Sequence, residues 1–134
     1  MTNLSNLKGK KVLVVDDSIM NRMIADVILK EYDVLVTEAN DGEEAVKYLK
    51  NNPCDLVLMD LQMPILNGYQ ASEIIRQKLK LDVPIIALTA SDAGEEKEKC
   101  YEVGMNDYLS KPFNKEQFLK TICTWIGRPN DSIT

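Results

Sequence analysis

Along the chain, short runs of branched apolar residues alternate with longer stretches in which apolar residues recur every three or four positions. Runs of the first kind predict strands buried on both faces, and the second predict amphipathic helices. Five such pairs follow one another with short connections, which favours a parallel sheet covered by helices on both faces. Lys11 to Val15 is the first strand, and Ser18 caps a helix through about Glu31. Val34 to Glu38 is the second strand, and Asn40 with Glu43 forms a capping box before a helix to about Lys50. Asp55 to Met59 is the third strand, ending in Asp60; a bend through Met63-Pro64 and Asn67-Gly68 leads to a helix over about Tyr69 to Lys78. Val83 to Leu88 is the fourth strand, ending in Thr89, and Asp92 with Glu95 caps a polar helix that Gly104 ends. Asp107 to Ser110 is a short fifth strand, followed by Lys111-Pro112 and a helix opened by Asn114 and Gln117 and stopped at Gly127 and Pro129. Residues 1–9 and 128–134 are expected as tails or linker stubs around one domain over 10–127.

Composition narrows the chemistry. The 134 residues carry 16 basic and 21 acidic side chains, net charge -5, with no Lys/Arg run, so direct nucleic-acid binding is not expected. No apolar run approaches the length of a membrane span, and Met1 to Lys10 lacks the apolar stretch of a secretory signal, so no membrane insertion and a cytoplasmic location are expected. Cys54, Cys100 and Cys123 lie far apart and are expected as core thiols. The chain has no histidine, which excludes a Ser-His-Asp triad, a His-ligated metal and a histidine-kinase role.

Ligands of open parallel sheets sit beyond the carboxyl ends of the strands. There the chain gathers Asp16 and Asp17 after the first strand, Asp60 after the third, Thr89 after the fourth and Lys111 after the fifth. Three carboxylates so placed raise one another's pKa and call for a cation. Lys111 neutralises one charge only, and Mg2+ suits a few carboxylates plus water better than Ca2+. A metal, a carboxylate, a hydroxyl and a lysine are the parts that phosphoryl transfer requires.

These residues also carry a family resemblance. Val12 to Asp17 (VLVVDD), Leu56 to Pro64 (LVLMDLQMP) with Gly68, Leu88 to Ala90 (LTA) and Gly104 to Phe113 (GMNDYLSKPF) resemble the receiver domain of two-component response regulators, from Lys10 to about Ile126. MDLQMP and KCYEVGMNDYLSKPF are most similar to receivers attached to hybrid sensor kinases. The resemblance implies an α/β fold, a single doubly wound (βα)5 flavodoxin-like domain with strand order 2-1-3-4-5, an order that a chemotaxis member of the family illustrates. It makes Asp60 the phosphoacceptor, Asp17 a direct Mg2+ ligand, Asp16 a ligand mostly through water, and the Gln62 backbone carbonyl a further ligand. Thr89 would bind the new phosphoryl group and move inward with it, Lys111 would pair with Asp60 and then with the phosphate, and Tyr108 would turn with Thr89. A tyrosine in a short strand also serves as half-buried packing. Pro112 would follow a cis peptide, and Gln62 and Ser91 fall at positions that tune hydrolysis.

The function implied is a phospho-acceptor switch of a phosphorelay that catalyses only the phosphorylation and slow dephosphorylation of its own Asp60, rather than an enzyme with other substrates. Its partners would be a sensor histidine kinase or histidine phosphotransfer domain, within or apart from a hybrid kinase parent, and the family also allows a phosphorylation-dependent dimer. Two other classes fit less well. An aspartyl-phosphate hydrolase of the haloacid dehalogenase type needs a DxD motif that Asp16-Asp17-Ser18 lacks. A flavodoxin-like cofactor binder needs a Ser/Thr/Gly-rich phosphate loop where this chain has two aspartates. A pseudo-receiver that only docks partners stays open, although all the site residues are present.

At about 100° per residue, Met20, Ile24, Val27 and Ile28 share one face of the first helix and are expected to pack on the sheet. Ile19 and Met23 fall off that face and form a small apolar patch beside Arg22 and Asp26. Because receivers dock the phosphohistidine bundle with this helix, the resemblance makes Ile19 and Met23 the centre of a docking site.

Overall fold

The computed structural model describes residues 4–90 and 94–126. Strands β1 (Lys11–Val15), β2 (Leu35–Ala39), β3 (Leu56–Asp60), β4 (Ile85–Thr89) and β5 (Asp107–Ser110) alternate with helices α1 (Ile19–Lys30), α2 (Gly42–Asn51), α3 (Gly68–Gln77), α4 (Gly94–Glu102) and α5 (Lys115–Ile126). The strands form one sheet in the order β2-β1-β3-β4-β5, with every adjacent pair parallel. This is the doubly wound (βα)5 flavodoxin-like fold with order 2-1-3-4-5.

The three central strands read as unbroken apolar runs because both of their faces are covered. Side chains alternate across the sheet: Val12, Val14, Leu58, Ile86 and Leu88 pack on one side with Leu29, Phe118 and Ile122. Leu13, Val15, Val57, Met59, Ile85 and Ala87 pack on the other with Val46, Leu49 and Ile75. Registers Val15↔Met59, Asp60↔Leu88 and Thr89↔Ser110 align the carboxyl ends of the strands along one rim.

Boundaries differ from the sequence reading where a local contact decides them. β4 begins at Ile85, after Pro84, which has no amide proton to give to a ladder. The cap of α2 is Asp41, not Asn40 with Glu43: the Asp41 carboxylate accepts from the Glu44 amide at 2.9 Å. The Asn40 amide donates instead to the Glu44 carboxylate, 2.6 Å away. Gly42 opens that helix because a Cβ there would collide with the Leu66 carbonyl oxygen. α3 starts one residue early, at Gly68, behind a capping box of Asn67 and Gln70. Part of the segment expected as an amino-terminal tail packs into the domain: Leu4–Leu7 forms a short 3-10 turn whose Leu7 is fully buried with Phe118, Ile122 and Ile126. Ser91, Asp92, Gly127, Pro129 and residues 128–134 lie outside the described residues, as does the Glu95 side chain.

The largest correction concerns α1. Its sheet-facing residues are Ala25 and Leu29, while Met20, Ile24 and Val27 face outward together with Ile19 and Met23. Ile28 lies on the flank, packed partly against the core. Arg22 accounts for this rotation. Its guanidinium donates to the Asp16 carbonyl at 2.6 Å, to Asn40 Oδ1 at 3.0 Å and to Glu38 Oε1 at 2.9 Å. Arg22, Ala25 and Leu29 thus occupy the inward side, and Ile19, Met20, Met23, Ile24 and Val27 are left outside.

Candidate functional site

Four of the five strands lead into a polar side chain of the rim: Asp16 after β1, Asp60 on β3, Thr89 on β4 and Lys111 after β5. β1 leads into Asp16, which is buried; its Oδ1 accepts from the Ser18 amide at 2.9 Å and its Oδ2 from Lys111 Nζ at 3.3 Å. Asp17 faces solvent. The Ser18 hydroxyl accepts from the Asn21 amide at 3.3 Å and starts α1 directly beyond the two aspartates. β3 ends in Asp60, whose Oδ1 accepts from Lys111 Nζ at 3.3 Å and from the Gln62 amide at 3.4 Å. Gly68 permits this loop to close: a Cβ there would collide with the Asp60 carbonyl oxygen.

One carboxylate oxygen each from Asp16, Asp17 and Asp60 lies within 4.8 Å of the others. Against these three anions the cavity sets the Lys111 ammonium, which bridges Asp16 and Asp60. Burial and the Asp16 charge push the Asp60 carboxyl up to about 6, partly opposed by Lys111 and by the Gln62 amide. The cluster is short of positive charge, and its oxygens are the donor set of a hard divalent cation. The Lys111–Pro112 peptide is cis.

Thr89 is buried at the end of β4 and lines the same cavity of about 250 Å³ with Asp16, Asp17, Asp60, Glu96 and Lys111. Its hydroxyl donates to Glu96 Oε1 on α4 at 2.5 Å. Tyr108 is half-buried on β5, paired with Ala87, and Lys97 Nζ lies 5.4 Å from its ring centroid. Ile19 and Met23 stand apart from the cavity on the outer face of α1, 65% and 57% exposed.

The structure therefore brings together Asp16, Asp17, Asp60, Thr89 and Lys111, with Gln62 touching Asp60 through its amide. Two participants were missed in the sequence. Glu96 lies in an acidic run that the pattern assigned to helix capping, and Arg22 was noted only as a neighbour of the apolar patch. The signal for Arg22 was its place one turn after the Ser18 cap, in reach of the Asp16 carbonyl.

Residues 12–123 match the model of the response regulator receiver domain. The chain belongs to that family. Among its relatives is the sensor histidine kinase GacS of Pseudomonas protegens, 35% identical over a 124-residue alignment that covers 90% of this chain and 14% of that protein. This receiver thus spans only a small part of such kinases. A solved receiver domain of a Pseudomonas aeruginosa sensor histidine kinase, with a magnesium ion coordinated in its active-site cleft, superposes with a TM-score of 0.82 at 38% identity, covering 90% of this chain and 99% of that one. The receiver domain of the Saccharomyces cerevisiae response regulator Ssk1, solved with the histidine phosphotransfer protein Ypd1, superposes with a TM-score of 0.83 at 35% identity, covering 89% and 90%. No helix among the described residues is long and apolar enough to cross a membrane.

Proposed function

We propose that this receiver is a Mg2+-dependent phospho-acceptor switch in which Asp60 takes a phosphoryl group from a phosphohistidine on a sensor histidine kinase or histidine phosphotransfer domain. The observation that carries it is the placing of Asp60 within 4.8 Å of Asp16 and Asp17 and 3.3 Å from Lys111.

Asp17 and Asp60 would ligate the ion directly, Asp16 mostly through water, and Gln62 through its backbone carbonyl. A bound divalent cation supplies charge neutralisation for the oxygens that approach one another during transfer. Asp60 must be ionised to act as nucleophile, and Lys111 favours that form. A carboxylate oxygen of Asp60 forms the new bond to phosphorus as the bond to the imidazole nitrogen breaks. Lys111 then pairs with the phosphoryl group and the Thr89 hydroxyl donates to it, with Tyr108 turning as Thr89 moves. The same site later admits water, so the domain modifies and restores only itself.

The donor would dock on the outer face of α1. That face exposes Ile19, Met20, Met23, Ile24 and Val27, a contiguous apolar surface next to the helix start that borders the cavity. The test of the chemistry is intact mass after incubation with a small acyl phosphate. One phosphoryl group should be added with Mg2+ and none with EDTA, and Asp60→Asn should abolish the addition. Full labelling of Asp60→Asn contradicts the assignment.

A further inference from the structure

We propose that Glu96 is a positioning residue that holds the Thr89 hydroxyl in the unphosphorylated arrangement and thereby sets how readily the receiver switches, an inference that rests on the phospho-acceptor role of Asp60. A threonine hydroxyl has a single proton to donate. Here that proton is directed to Glu96 Oε1 at 2.5 Å. A phosphoryl group on Asp60 offers only acceptor oxygens, so Thr89 can bind it only by withdrawing the proton from Glu96. Two anions thus compete for one donor.

The surroundings make this competition consequential. Thr89 is buried and Glu96 half-buried, so the bond is charge-assisted and poorly screened. Glu96 shares the cavity with Asp60, and the group added there carries about -1.5 to -2 charges at neutral pH. Once it loses the Thr89 proton, Glu96 faces that charge uncompensated, which drives the start of α4 away from the rim. The next residue, Lys97, lies over the Tyr108 ring. One turn of α4 therefore touches both residues that are to move, and it favours the resting form.

The experiment measures binding of beryllofluoride, a non-covalent mimic of the acyl phosphate, in the presence of Mg2+. Glu96→Ala should bind it about fivefold or more tighter than the parent. Removing a negative charge near an anion would also tighten binding, so the comparison is repeated with Thr89→Val, which keeps the shape and lacks the hydroxyl. There the gain from Glu96→Ala should shrink by more than half. A smaller reduction, or no gain in the parent background, overturns the proposal. A second readout uses the metal-free, unphosphorylated protein: three-bond NMR couplings should show one dominant Thr89 side-chain rotamer in the parent and in Glu96→Gln, which still offers an acceptor, and a changed rotamer population in Glu96→Ala. Averaging in the parent, or an unchanged population in Glu96→Ala, also overturns it. A parent that fails to bind beryllofluoride contradicts the phospho-acceptor reading instead, and the rotamer measurement then decides the role of Glu96 alone.

Discussion

Burial and the neighbouring Asp16 charge hold the Asp60 carboxyl at about 6, so the metal-free fold retains a proton there that the unfolded chain, with a carboxyl near 3.8, has already released. Because the folded form binds more protons across that interval, this group stabilises the fold at low pH, and the contribution is lost as pH rises from about 4 through about 6. Asp60→Asn removes the effect. In urea unfolding with EDTA, the variant should therefore gain on the parent between pH 5 and pH 7.5; an unchanged difference would contradict the crowded-site picture. The same crowding predicts that Asp17→Asn raises the thermal midpoint without metal, and that millimolar Mg2+ raises the parent's midpoint more than the variant's. Equal Mg2+ shifts in the two proteins would mean that Asp17 is not a ligand. At this scale the strand-end residues were legible because each stands at the point where an apolar run stops. Glu96 was not, since its contact joins the start of a helix to a strand end seven residues earlier, and the pattern of that helix carries no mark of it.

Among the elements, α1 shows how a periodic pattern can point to the wrong face. Met20, Ile24 and Val27 were expected against the sheet, but Arg22 is anchored by three acceptors and turns Ala25 and Leu29 inward. Hydrophobicity alone could not show this, because the inward side is partly polar and the outward side carries most of the larger apolar residues. The exposed face is where Ile19→Lys should slow transfer from a protein donor about tenfold or more, the effect of losing a central interface contact of about 1 to 3 kcal/mol, while labelling by a small acyl phosphate is unchanged. Equal loss with both donors would point to a disturbed fold, and no loss with the protein donor would remove Ile19 from the interface. On the opposite side, Arg76 ties α3 to the turn before β5: it donates to the Leu81 carbonyl at 2.8 Å, the Gly104 carbonyl at 2.9 Å and Asn106 Oδ1 at 2.9 Å. Gly104 sits there at φ +97°, with Arg76 packed where a Cβ would lie. Arg76→Met keeps the stem but strips those acceptors of their donor, and should lower stability by about 2 to 4 kcal/mol in urea unfolding. A loss below 1 kcal/mol would show that water replaces the guanidinium.

For the molecule as a whole, the two-layered core carries the site along one rim of the sheet. The two core layers hold the strand ends, and through them Asp16, Asp60 and Lys111, while Thr89 and Tyr108 are touched by α4 through the half-buried Glu96 and the exposed Lys97. The fold was legible almost entirely, because parallel strands covered on both faces leave an unmistakable alternation with helices. Contacts that cross between elements, such as Glu96 with Thr89 and Arg22 with Asp16, leave no periodic trace and needed the structure. The central claim, that Asp60 carries the phosphoryl group, is tested most directly by locating the adduct. After reaction with a small acyl phosphate and Mg2+, borohydride reduction and peptide sequencing by mass spectrometry should find one reduced carboxyl, at Asp60. Reduction at Asp16, Asp17 or Glu96, or a phosphoryl group found on a hydroxyl such as Thr89, would contradict the account.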